Sequence, residues 1–274
     1  MEPVQGIILG IIQGLTEFLP VSSSGHLVLT RHLFGLREPA LFFDISVHLG
    51  TLLATVIVFR KDIARIARAL FQWSRSLAGQ QTDLQQQDRK GLQFIRFIIL
   101  GTIPTVAIGL GLKFAEAHFA SLYLVGTMLV LTAVILWLTR IFDSAGRPVT
   151  AFSGKKAFLV GCAQGLAVLP GISRSGATIA TGLFLGLNRE DSARLSFLMS
   201  LPAIAGAQML SAKDLFSGAV CLDTATILGA ATAFVVGYAA LRILLRVVRL
   251  GRFYLFAPYC LVVGITVLGI AAII

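Results

Sequence analysis

The sequence predicts an all-α polytopic membrane protein: six full transmembrane helices plus two re-entrant helix hairpins in an inverted-topology repeat. Three observations predict it. Only 13% of the 274 residues are charged and 56% are hydrophobic, whereas a soluble domain carries about 25% charged residues. Apolar stretches long enough to cross a bilayer, about 20 residues each, recur along the whole chain. Two further apolar stretches are broken by Pro, Gly and Ser at corresponding places in the two halves.

The elements follow in order. Met1-Glu2-Pro3-Val4 has no basic character, so no cleavable signal is expected. Residues 4–36 are apolar but break at Leu19-Pro20-Val21-Ser22-Ser23-Ser24-Gly25. Each arm of this segment is too short to cross alone. Helix, break, helix describes a re-entrant hairpin, whose irregular backbone survives at membrane depth only where it lines a cavity inside the protein. Full spans are expected at 42–59, 92–112 and 121–141. Lys61 to Phe71 reads as a basic amphipathic helix on the membrane surface, and the Gln-rich stretch 80–88 as a solvated loop. Residues 143–156 form a linker. The second hairpin, 157–187, breaks at Leu169-Pro170-Gly171-Ile172-Ser173-Arg174-Ser175-Gly176, and spans follow at 192–212, 222–245 and 255–273.

The two breaks are related. Gln13-Gly14-Leu15 and Gln164-Gly165-Leu166 open them at an offset of 151, and two serines and a final glycine coincide, with proline displaced by one residue. The reading is therefore one integrated membrane domain: a first repeat over 1–142, the linker, and a second repeat over 157–274. Each repeat holds one hairpin and three spans. Three is odd, so the second repeat lies upside down and the hairpin tips meet near the midplane.

The net charge of +10 is assigned to topology and to contacts with anionic membrane lipids, so no nucleic-acid partner is expected. With both hairpins re-entrant, the segments 60–91, 140–156, 189–194 and 242–252 share one side and carry 17 of the 23 Lys and Arg. The positive-inside rule makes that side cytoplasmic and both termini extracytoplasmic. Cys162, Cys221 and Cys260 lie singly in apolar surroundings and read as small core residues.

Chemistry gathers at the two breaks. A helix starts after each, with Ser22 to Ser24 and Ser173 to Ser175 as N-cap candidates. Free N–H groups and the partial positive charge of a helix start suit phosphate. Arg174 adds a planar fork able to hold two phosphate oxygens. An arginine at this depth costs about 2.5–3.5 kcal/mol on insertion scales, so an anionic partner is expected. Gln13 and Glu17, at i and i+4, share a helix face and offer oxygens to a hard divalent cation, though Gln13 equally suits an interhelical hydrogen bond. His26 follows Ser23 by three residues, which suggests a serine nucleophile beside an imidazole base, or water activated by His26. Asp44 and His48 form another i, i+4 pair, either structural or supporting the site. His32 and His118 read as interfacial and inert.

The run from Gln13 to His26 resembles the first signature of the bacterial undecaprenyl-diphosphate phosphatases, the bacitracin-resistance family, and Pro170 to Thr178 resembles the second. The resemblance extends over the full length and includes Ser-Phe-Leu-Met-Ser-Leu-Pro at 196–202. It implies hydrolysis of undecaprenyl diphosphate to undecaprenyl phosphate and inorganic phosphate, which recycles the lipid carrier for peptidoglycan synthesis. It also implies a Mg²⁺ or Ca²⁺ requirement, a bacterial inner-membrane location and a site opening to the periplasm. By motif position Glu17 looks like the metal-associated acid, Ser23 the nucleophile and His26 the essential histidine. Arg174, with Ser173, Ser175, Gly176 and Thr178, and with Ser22 and Ser24 opposite, looks like the phosphate cradle. Members carry Glu or Gln where this chain has Gln13, which leaves Glu17 as the sole charged acid.

Two rivals stand beside this reading. A polyprenyl-phosphate flippase would use the same inverted-repeat site. A phosphatidic-acid-type lipid phosphatase shares a motif like Ser24-Gly25-His26, but needs a later histidine, and none follows His118. The oligomeric state is open between monomer and homodimer.

Overall fold

The computed structural model describes residues 1–34, 41–77, 86–113, 121–141, 146–215 and 223–273. His118, Cys221 and most of the Gln-rich stretch fall outside them, and the side chain of His32 is likewise undescribed. Among the described residues the chain is helical, apart from short 3₁₀ turns and one β-bridge, Arg147 to Leu187.

The proline breaks set the local pattern. Helix α1 (Pro3–Phe18) stops because Leu19, preceding Pro20, is pushed into extended backbone at φ −61°, ψ 143°. Ser22 then takes a left-handed φ of +70°, and its Oγ accepts from the Gly25 amide at 3.4 Å as α2 (Ser23–Leu33) begins. The second break repeats the device. After α7 (Gly154–Leu166), Gly171 takes φ +98°, and Ser173 caps α8 (Arg174–Phe184) by accepting from the Gly176 amide at 3.1 Å. α2 and α8 have 11 residues each, about 17 Å of helix. That is roughly half of a ~30 Å hydrocarbon core.

Five helices among the described residues are long and apolar enough to cross a membrane: α3 (Leu41–Val58), α5 (Gln86–Lys113), α9 (Arg189–Leu215), α10 (Thr224–Arg249) and α11 (Ala257–Ile273) with the 3₁₀ turn before it. The expected span 121–141 is shorter than its apolar run. α6 (Leu122–Leu138) has 17 residues, because the chain turns at Thr139, whose hydroxyl folds back onto the Leu136 carbonyl. The surface helix α4 (Arg60–Leu77) runs past the expected Phe71, since Gln72 to Leu77 contains neither Pro nor Gly. Its Leu70, Phe71 and Trp73 are exposed.

The apolar surface faces outward and polar groups face inward. Leu53, Ile99, Ile103 and Val235 are exposed, whereas Gln13, Glu17, Thr51, Thr55 and Gln164 are buried. Without a hydrophobic force between helices in lipid, association relies on close packing at small residues. α1 lies along α10 in this way: a Cβ on Gly10 would stand 2.4 Å from the Gly229 carbonyl oxygen. α7 lies along α5 with Gly161 equally tight against Gly101, and α6 pairs with α11 through Gly126 and Gly264. The first hairpin thus leans on a span of the second half, and the second hairpin on a span of the first.

The linker is docked from residue 146 onward. Arg147 exchanges backbone hydrogen bonds with Gly186 and Asn188 at 2.8 and 3.0 Å, and the Val149 amide donates to Asp191 Oδ2 at 2.8 Å.

Candidate active site

The two breaks meet. The Gly171 amide of the second tip donates to Ser22 Oγ of the first at 3.1 Å. Pro20 lies against Gly176, where an added Cβ would be 3.4 Å from the proline ring. Each tip is also held from its flank. Thr132 of α6 donates to the Gly171 carbonyl at 2.9 Å and accepts from the Ser173 amide at 3.2 Å. The thiol of Cys260 on α11 donates to the Pro20 carbonyl at 3.3 Å. A Cβ at Gly171 would stand 2.4 Å from the Val125 carbonyl, so both its positive φ and the close approach of α6 require glycine there.

Glu17 is the hub. Its Oε2 accepts from Gln13 Nε2 at 3.0 Å and from Ser23 Oγ at 2.7 Å, and its Oε1 accepts from Arg174 Nη2 at 2.5 Å. The side chain of Glu17 is 6% exposed and that of Arg174 19%. A buried ion pair of this kind is weak evidence for stability, because desolvating both charges offsets their attraction. Its placement across two helix breaks points to a role in chemistry. His48 of α3 lies near enough to act electrostatically on the Glu17 carboxylate, and its Nδ1–H donates to the Asp44 carbonyl at 2.8 Å.

Two buried atoms here lack a partner among the described residues: Arg174 Nη1 and Gln13 Oε1. Orphaned polar atoms inside a protein are rare and ask for an explanation. Arg174 Nη1 is a donor suited to a phosphate oxygen. Gln13 Oε1 is an acceptor suited to a cation. A carboxylate has about four acceptor sites, and the three bonds above leave Glu17 one. No group of three or more His, Cys, Asp or Glu gathers among the described residues. A hard cation would therefore take two protein oxygens and complete its shell with phosphate and water, as Mg²⁺ commonly does. The residues fit such an ion.

The other expected site residues divide. Ser173 is the cap of α8, and its hydroxyl lies 3.2 Å from that of Ser175. Ser24 Oγ lies 3.3 Å from Ser22 Oγ. Thr178 donates to the Arg174 carbonyl at 2.8 Å and meets Ser196 Oγ at 2.5 Å, which holds α8 against α9. Ser23 and His26 are not bonded to each other. His26 Nδ1–H donates to the Ser22 carbonyl at 2.8 Å, which leaves the Nε2 lone pair of the neutral ring for the Tyr259 hydroxyl, also at 2.8 Å. The two rings stack with centroids 5.7 Å apart. The carboxylate, not the imidazole, receives the Ser23 hydroxyl.

Sequence reasoning missed Tyr259, Thr132 and Ser196. Thr132 and Tyr259 carried a faint signal, a lone polar group in an apolar span. Ser196 lies in the run already noted at 196–202.

Comparison with known proteins accords with this geometry. A family model described as Bacitracin resistance protein BacA matches residues 6–266. An undecaprenyl-diphosphatase of Desulfosudis oleivorans is 60% identical over 264 residues, covering 96% of this chain and 97% of that protein. Its namesake in Desulforapulum autotrophicum is 53% identical over 267 residues, covering 97% of each. One from Carboxydothermus hydrogenoformans is 42% identical over 277 residues, covering 99% of this chain and 98% of that protein.

Proposed function

The chain belongs to the Bacitracin resistance protein BacA family, and from that premise we propose that it is an integral membrane phosphatase acting on undecaprenyl diphosphate. The products are undecaprenyl phosphate and inorganic phosphate, which returns the lipid carrier to peptidoglycan synthesis and confers bacitracin resistance. One observation carries the reading beyond the family match: Arg174 of the second tip grips Glu17 of the first through Nη2 while its buried Nη1 stays unpaired. That leaves a fixed guanidinium donor on the same carboxylate that holds the Ser23 hydroxyl.

In the mechanism we assign, the terminal phosphate sits between the two tips. Arg174 Nη1 and the amides at the starts of α2 and α8 take its equatorial oxygens, where charge grows in the transition state. Ser23 Oγ attacks the terminal phosphorus and its proton passes to Glu17 Oε2. The Oγ–P bond forms as the anhydride P–O bond breaks, and undecaprenyl phosphate departs. Water then attacks the phosphoserine phosphorus; as the Oγ–P bond breaks, Glu17 returns its proton to Ser23 Oγ, and the water's protons leave on the released inorganic phosphate. Glu17 and Gln13 would hold a Mg²⁺ or Ca²⁺, which supplies Lewis-acid neutralisation of phosphate charge. His26, held at both nitrogens, orients the first turn of α2.

Placement in the membrane is part of the proposal. The exchanged packing of α1 on α10 and α7 on α5 supports inverted repeats, and the clustering of basic residues supports a cytoplasmic linker with the site opening to the periplasm.

The test is phosphate release from undecaprenyl diphosphate by the purified chain in detergent, where no gradient exists to drive transport. Wild-type protein releases phosphate, and Arg174→Ala is slower by about 10²–10³-fold, the usual cost of one transition-state donor. An Arg174→Ala protein that folds and keeps near-full activity rejects the assignment.

A further inference from the structure

A polar cavity lies away from the tips. It has a volume of about 290 Å³ and opens between α4, α9 and α10. Lys61 and Arg65 of α4, Arg189 and Arg194 of α9, and Arg242 and Arg249 of α10 line it. Among the described residues two carboxylates share the wall, Asp62 and Glu190. Both are engaged: Asp62 with Arg65 at 3.6 Å and Arg194 at 3.9 Å, and Glu190 with Arg194 at 2.8 Å. Lys61, Arg242 and Arg249 face no carboxylate among the described residues. Arg242 is oriented without one, donating to the Tyr238 hydroxyl at 3.0 Å while lying over its ring.

The cavity is separate from the candidate active site. Phe18, beside Glu17, packs level with Gly237 on α10. Arg242 and Arg249 lie further along that helix by about 8 and 18 Å at 1.5 Å per residue. Between the two places stand Phe18, Phe197 and Phe59, all buried, with ring centroids 5.9 and 5.8 Å apart. Phe59 itself lines the cavity.

Lys61, Arg242 and Arg249, three cations facing no carboxylate among the described residues, repel one another across a small concave space until an anion enters. Guanidinium forks match phosphate oxygens, and basic pockets between membrane helices suit lipid headgroups. The cavity lies where α3 ends, α9 begins and α10 ends, beside the amphipathic α4, so in the membrane placement proposed above, on which this inference rests, its mouth meets the headgroup layer on the basic side. We propose that this cavity binds a phosphate-bearing anion, with the doubly charged headgroup of an anionic membrane lipid as its occupant.

The test is native mass spectrometry of the purified full chain with three probes: cardiolipin, phosphatidylethanolamine and inorganic phosphate. Wild-type protein retains cardiolipin, and Arg242→Gln/Arg249→Gln retains it about thirtyfold more weakly, since each cation near the surface contributes a roughly five- to sixfold share. The Arg242→Lys/Arg249→Lys variant restores much of the retention, and both variants release phosphate at wild-type rates in lipid-free detergent. Displacement of cardiolipin by millimolar inorganic phosphate assigns the pocket to a soluble phosphate; resistance to it assigns the lipid headgroup. Either result upholds the phosphate site. Equal retention of cardiolipin by wild type and the Gln variant, or retention of phosphatidylethanolamine as strong as that of cardiolipin, overturns it.

Discussion

At the residue scale, the site turns on which atom each hydroxyl and ring nitrogen faces. Ser23 gives its hydroxyl to Glu17 at 2.7 Å, and His26 is held between the Ser22 carbonyl and Tyr259. In the proposed mechanism Tyr259 is thus a positioning residue, acting through the imidazole. Tyr259→Phe keeps the stacked ring and loses one hydrogen bond, worth about 0.5–1.5 kcal/mol. The expected outcome is a kcat lowered about two- to tenfold with KM little changed. Tyr259→Ala removes the ring as well and falls further. Steady-state phosphate release checks both, and a Phe variant indistinguishable from wild type in kcat would remove Tyr259 from the account. The identity of the polar residues at the breaks was legible in the sequence, because Glu, His and Arg inside apolar segments demand partners. Their pairing was not. Spacing of i, i+3 placed His26 beside Ser23, yet the left-handed turn at Ser22 rotates the start of α2 so that Ser23 faces α1, and the partner of His26 comes from 233 residues away.

At the scale of elements, small residues decide which helices touch. Gly6, Gly10 and Gly14 form a ridge on α1 against the backbone of α10 at Ala225, Gly229 and Ala233. Gly10→Ala places a methyl 2.4 Å from a backbone oxygen, which cannot move alone. Overpacking of this kind costs about 1–3 kcal/mol. A lowered melting temperature in detergent is expected for Gly10→Ala, with Gly206→Ala as the control, since nothing lies within 4 Å of a Cβ there. Equal melting of the two variants would deny the tight α1–α10 contact. Spans and breaks could be read from hydropathy and proline. The exchange of partners, α1 with α10 and α7 with α5, could not, because a glycine stripe marks a contact face without naming the helix it meets.

For the whole molecule, the two halves contribute unequally to one site. The first tip brings Gln13, Glu17, Ser23 and His26, and the second brings Arg174 and hydroxyls, joined by the ion pair and by the Gly171 to Ser22 hydrogen bond. The correspondence of the two breaks was visible in the sequence, but nothing in either run says that Arg174 must bond Glu17 rather than lie free. A transport site shared equally by two repeats needs no such division; a phosphatase with its base and nucleophile on one side and its phosphate grip on the other does. A double-mutant cycle on phosphate release from undecaprenyl diphosphate tests that division most directly, comparing Glu17→Gln, Arg174→Gln and the double variant. Groups acting as one unit are non-additive, so the account predicts a double variant about as slow as the slower single. Losses that multiply, as for independent sites, would contradict it.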